Sequence, residues 1–177
     1  MKKILAFSVF MIAFTVGAFA QSSDTEQTTA TATIIGPLAL TKVSDMDFGT
    51  IAVTGTAGTV LLGTDNSRTA TGPALVPPAA GVAASFTVAG EASRTFTITL
   101  PANNTVTLVN GANSMAVNDF LHSAGGAPAL DGTGAAAFTV GATLSVAANQ
   151  AAGVYTSANF PVRISGPQKF SNPVYSN

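Results

Sequence analysis

The 177-residue chain has no cysteine and no tryptophan, a single histidine, and only 8% charged residues. Without cysteine there is no disulfide staple, no thiolate nucleophile and no thiolate metal ligand. His122 would have to be the base of any Ser-His-Asp arrangement, and no G-x-S-x-G turn is present to hold the serine. A conventional zinc site needs about three protein ligands, typically with a second His or Cys. His122, in "FLHSAGG" (120–126), therefore reads as a structural residue at a strand end. Seven Lys and Arg against eight Asp and Glu leave no basic patch, which disfavours nucleic acid as a partner. Lys, Glu, Arg and Gln, the usual surface of a soluble helix, are scarce. No window reads as a long amphipathic helix, and the best one, 74–84, is broken by Pro77, Pro78 and Gly81. The inventory points away from an enzyme, and no cofactor is expected.

The N-terminus carries an address. Lys2 and Lys3 precede the apolar run "ILAFSVFMIAFTVGAF", and Ala18-Phe19-Ala20 supplies a small-x-small cleavage pattern. The run is short for a membrane span and no stop-transfer charges follow it. A secretory signal over 1–20 is predicted, with cleavage after Ala20; a retained N-terminal anchor is the alternative. Removing Lys2 and Lys3 leaves five bases against eight acids, a formal charge of −3. The expected location is the periplasm, the outer surface or the extracellular space, with no membrane span after cleavage. Without disulfides, such a domain rests on its core and its sheet hydrogen bonds.

Period-2 alternation runs from 28 to 164. It is visible in "TTATATII" (28–35), "PLALTKV" (37–43), "DMDFG" (45–49), "GTVLLG" (58–63) and "ASFTVAG" (84–90). It is cleanest in "TFTITLP" (95–101), where Phe96, Ile98 and Leu100 share one face and three threonines the other. It continues in "TVTLVN" (105–110), "MAVNDF" (115–120), "AAFTVG" (136–141), "ATLSVAA" (142–148) and "VYTSANFPVRI" (154–164). Gly-, Asn-, Asp- and Pro-rich turns separate these runs. The pattern predicts an all-β, Ig-like antiparallel β-sandwich of about nine or ten short strands over 28–164, with a closed β-barrel as the alternative. Residues 21–27 form a polar, flexible N-terminal extension. Residues 165–177 form a C-terminal tail with two prolines, in which Phe170, Val174 and Tyr175 are apolar enough to latch onto a surface.

"SDMDFGTI" (44–51) contains a D-x-D pair and a D-F-G triplet. Residues i and i+2 of a strand share a face, so Asp45 and Asp47 are weak candidates for a shared cation. Calcium takes six to eight oxygens and no D-x-D-x-D-G loop is present, so the competing reading is two solvated aspartates outside a core Met46 and Phe48. The kinase reading of D-F-G fails, because its Gly-rich loop, V-A-I-K and H-R-D are absent. Asn103-Asn104-Thr105 is a formal glycosylation sequon lying in a turn. For sugar stacking only Tyr155, Phe170 and Tyr175 are plausible, since most Phe alternate into the core.

Three signatures occur in order: "IIGPLALTKVSDMDFGTI" (34–51), "ASFTVAGEASRTFTITLP" (84–101) and "VGATLSVAANQAAGVYTSANFPVRI" (140–164), the last opening with a Val-Gly-x-x-Leu hairpin. Together they resemble the bacterial domain-of-unknown-function family 4402, secreted Ala/Thr/Gly-rich β-domains similar in architecture to fimbrial subunits. The resemblance covers nearly all of the chain after the signal. Its core signature here is Met46, Phe48, Gly49, Phe86, Phe96, Ile98, Gly153, Tyr155, Phe160 and Val162. Thr156-Ser157-Ala158-Asn159 stands where the family pattern has a second glycine, which leaves the pairing of the last strand open. The resemblance carries over no catalytic residues. It implies a surface structural or adhesive role, with copies of the chain or related subunits as partners and a periplasmic chaperone and usher as assembly factors.

One segment suits strand donation. "TTATATII" is extended, alternating and preceded by polar chain, so Thr29, Ala30, Thr31, Ala32, Thr33 and Ile34 are the candidate assembly strand. The competing reading is the ordinary first strand of a complete sandwich. Edge-strand pairing or donor-strand exchange is thus the expected mode of a non-enzymatic fimbrial or adhesin-like subunit. A self-contained glycan- or calcium-binding β-module is the second expectation.

Overall fold

A computed structural model describes residues 24–32, 34 and 36–167. The chain divides into two units, Met1–Thr33 and Ile34–Asn177. In the first, residues 24–32 are all exposed and none lies in a strand. In the second, every described regular element is a β-strand: β1 (Ala39–Ser44), β2 (Ile51–Ala52), β3 (Gly58–Leu62), β4 (Arg68–Thr71), β5 (Ala74–Leu75), β6 (Ala84–Ala89), β7 (Thr97–Thr99), β8 (Val106–Asn110), β9 (Asn113–His122), β10 (Ala135–Val146), β11 (Thr156–Ser157) and β12 (Arg163–Ser165).

The fold is all-β and antiparallel, as the alternation predicts. A curled half-barrel sheet runs β1-β6-β10-β9-β8-β11, and the small sheets β7–β12 and β2–β5 complete the sandwich-like body. The main sheet branches at β10. Residues 135–140 of β10 pair with β6, residues 142–146 pair with β3, and β3 pairs with β4. The other edge of β10 pairs with β9, where the register shifts between Gly141 and Thr143. Val140 and Leu144 are thus each flanked on both sides, by Ala84 and His122 and by Val60 and Val117.

This arrangement makes β10 the spine of the core. Phe138, Val140, Ala142, Leu144 and Val146 alternate onto one buried face. Phe138 and Val140 belong to one apolar cluster with Ala84, Phe86, Val88, Phe96 and Leu130; Ala142, Leu144 and Val146 belong to another with Phe48, Val60, Leu62, Val106, Met115 and Val117. Met46 and Phe120 pack against both. Each fully buried aliphatic or aromatic side chain contributes about 1.5–3 kcal/mol, and among the described residues no polar or charged residue is buried.

Several local expectations change. Residues 28–32 and 34 are not in a strand; Thr33 and Ile35 lie outside the described residues. Alternating Thr and Ala offer little apolar area, so the pattern sets a face without the burial that would hold it in a sheet. The run 45–49 is reduced to a single bridge, Asp47 to Val82. The Val-Gly-x-x-Leu hairpin does not form: β10 passes straight through Gly141. An ideal Cβ there would sit 2.2 Å from the Leu62 carbonyl oxygen, so the glycine admits a crossing backbone and makes no turn. The last run, 154–164, divides into β11 and β12 around Pro161. Among the described residues there are twelve strands against the nine or ten expected; β2, β4 and β5, of two to four residues, are too short for periodicity to register.

Candidate functional site

The D-x-D pair does not converge on a common centre. Lys42 Nζ donates to Asp45 Oδ1 at 2.5 Å, with both side chains largely exposed. Asp47 Oδ1 accepts the Gly49 N–H at 2.7 Å, and the Asp47 backbone exchanges two hydrogen bonds with Val82 at 2.7 and 2.8 Å. Met46 is half-buried and Phe48 is buried. Among the described residues no three His, Asp or Glu side chains gather as a metal site would require.

What the triplet does is receive Arg68. Its Nη1 donates to the Phe48 carbonyl at 2.7 Å and the Thr50 carbonyl at 3.3 Å, and its Nη2 donates to the Ala79 carbonyl. The planar guanidinium ties the turn after Phe48 to the segment before β6 through charge-assisted bonds. Gly49 has φ +69°, and a Cβ on Gly81 would lie 2.7 Å from Arg68 Cδ. Two glycines thus form the slot. Nearby, Asn66 Oδ1 accepts the Ala83 N–H at 2.7 Å. In the sequence Arg68 reads only as one of few bases, three residues after Asp65, and nothing there marks its backbone partners.

The rest of the core signature also serves the wall. Phe86 stacks on Phe138 at 5.2 Å, Phe160 tilts against Phe120 at 5.5 Å, and Phe96 is buried. Ile98 and Val162 pack half-buried on the Phe86 cluster. Tyr155 OH donates to the Ala151 carbonyl at 2.8 Å and accepts from Gln150 Nε2 at 2.9 Å, so the ring is tethered at its polar end. A Cβ on Gly153 would lie 1.9 Å from Asn110 Nδ2. Asn103 latches the residue after Asn118: its Oδ1 accepts the Asp119 N–H at 2.8 Å and its Nδ2 donates to Asp119 Oδ1 at 3.0 Å. His122 packs edge-on to Phe138, with Nδ1 buried and without a hydrogen-bond partner.

Two exposed carboxyls cap turns. The Ala135 N–H, then the Thr133 hydroxyl and N–H, hold the Asp131 carboxyl below its usual range. The Ser67 hydroxyl and N–H do the same for Asp65.

The remaining feature is an edge. β1 ends the main sheet, and among the described residues its one partner is β6. From Ala39 to Lys42 the pairing is regular; it shifts between Lys42 and Ser44, leaving Val43 unpaired in the ladder and 65% exposed. Ahead of β1, Gly36 stands in open space, Ile34 is 94% exposed, and Thr29–Ala32 are exposed outside any strand. Phe170, Val174 and Tyr175 of the tail lie outside the described residues.

No curated protein and no solved structure matches the chain. The family described as Domain of unknown function (DUF4402) matches residues 38–165, from the residue before β1 to the last residue of β12. The match omits the segment 28–37, so the resemblance is narrower at the N-terminus than the motif beginning at Ile34 implies. The three ordered signatures, the strands they form and this match agree: the chain belongs to the domain-of-unknown-function family DUF4402.

Proposed function

We propose that the protein is a non-enzymatic, secreted bacterial surface subunit, fimbrial or adhesin-like, that assembles with copies of itself or with related subunits by strand pairing. One observation carries the reading. An alternating segment, Thr29–Ala32, stands exposed and outside every strand, while β1 presents an edge with no second partner among the described residues. A sheet edge with unpaired N–H and C=O groups is a template for another strand, and an extended segment is what it accepts. Low charge lets such subunits pack closely, and the bonds of Arg68, Asn66 and Asn103 serve the scaffold. The leader-like residues 1–20 support secretion.

The test is direct. The secreted chain should appear as filaments by electron microscopy of the cell surface, and lost when the gene is deleted. It should run as a ladder on a denaturing gel without boiling and as a single band after boiling. A chain that is monomeric at all concentrations, with no surface structure dependent on the gene, refutes the proposal.

A further inference from the structure

Resting on that reading, we infer where the donated strand lands: residues 31–34 of one copy pair antiparallel with Leu38–Thr41 of the next, in the register that sets Ile34 opposite Leu38 and Thr31 opposite Thr41.

Three observations select this edge and this length. First, β1 borders the less completely covered part of the core. Around the Phe86–Phe138 cluster, Leu38, Leu40, Ile98, Leu100, Val162 and Ile164 are all only half-buried. A strand laid beside β1 would cover Leu38 and Leu40 on the inner face.

Second, β1 limits its own pairing. The irregularity at Val43 and the Lys42–Asp45 ion pair fall at the C-terminal half of the strand. Bulges and edge lysines are devices that stop strands from adding. Among the described residues, the regularly paired stretch free of both devices and open on its outer side is Ala39–Thr41, with Leu38 directly ahead of it.

Third, the faces match in one parity. Leu38 and Leu40 are half-buried while Ala39 and Thr41 are exposed. Setting Ala32 and Ile34 inward places the apolar residues of the donor over the core and its threonines in water. Antiparallel order agrees with every ladder in the sheet. The same register within one chain would be a hairpin closed at residues 35–37, but Thr31 and Ala32 are in no strand and Ile34 is almost fully exposed. The partner strand is therefore assigned to a second copy.

The absence of native cysteine makes the test clean. Thr31→Cys chains are mixed with size-tagged Thr41→Cys chains under mild oxidation, and the control mixes Thr31→Cys with Ser165→Cys. Directly opposed strand residues have the Cα separation that a disulfide spans. Held opposite each other, the 31–41 pair should form heterodimer at roughly ten times the control level or more, because pairing raises effective concentration. Ladders that persist while 31–41 and 31–165 heterodimers stay equal overturn the landing site and leave assembly by strand pairing intact. Loss of ladders and of cross-links together overturns both. A Thr31→Cys, Thr41→Cys double variant that closes only within monomers overturns exchange between copies.

Discussion

An ideal Cβ on Gly49 would lie 2.7 Å from Arg68 Nη1 and 2.8 Å from the Ala80 carbonyl oxygen, so the guanidinium occupies the space that any other residue at 49 would need. The triplet that resembles a magnesium-binding motif is the socket for an arginine. Gly49→Ala should cost about 1–3 kcal/mol from its positive φ alone, with the contact adding to it. Urea denaturation measures the loss. A variant as stable as the parent would show that Arg68 does not fill the socket in solution.

Removing the arginine leaves carbonyls without their donor. Arg68→Met keeps the apolar stem and loses the bonds to Phe48, Thr50 and Ala79. Leaving such acceptors unpaired costs about 1–3 kcal/mol. Arg68→Lys should recover only part, because a point charge cannot match the fork. Full rescue by lysine would mean that charge alone matters.

Gly141 and Gly132 make a matched pair. A Cβ on Gly141 would clash with the Leu62 carbonyl oxygen at 2.2 Å, whereas nothing lies within 4 Å of one on Gly132. Gly141→Ala should therefore lower the melting temperature by several degrees, as a loss of about 1–3 kcal/mol does in a domain of this size. Gly132→Ala should leave it nearly unchanged. Equal effects would contradict the close approach of the backbone at Leu62–Thr64, at the end of β3, to β10 at Gly141.

Asp131 and Asp65 give stability a sign with pH. A carboxyl whose folded pKa lies below its ordinary 3.8 adds stability above that value and loses it as pH falls through the folded pKa. Asp131→Asn with Asp65→Asn should flatten the stability profile below about pH 4. An unchanged acid limb would show that these turns do not carry it.

The aspartates of the D-x-D pair should behave separately. Asp47→Ala loses the bond to the Gly49 N–H, while Asp45→Asn breaks only an exposed ion pair worth about 0–1 kcal/mol. Asp47→Ala should thus be the more destabilising of the two, and calcium should not shift the parent's melting temperature. A calcium-dependent rise abolished by either change would restore a shared cation site.

The core was legible because alternation reports which face a residue takes. Phe48, Phe86, Phe96 and Phe138 were placed inside by that rule, and they are buried. The same rule put a strand over 28–35, yet the described residues 28–32 and 34 are in none, because Thr and Ala alternate there without enough apolar area to hold one. It also divided β10 at Gly141, because the sequence does not distinguish a glycine that turns the chain from one that lets another strand pass. Arg68 was illegible for a related reason: its partners are backbone carbonyls, which every residue supplies and no side-chain pattern marks.

Composition and period-2 patterning by themselves determined the all-β class and the inward faces, since these depend on side-chain type and local backbone geometry. The three ordered signatures determined the family. Only the tertiary structure decided which strands neighbour one another, that β10 serves both β6 and β3, that the aspartates of "SDMDFGTI" work apart, and that β1 is an edge. Those are long-range pairings, chosen by how apolar faces close over each other and by which glycines let backbones meet.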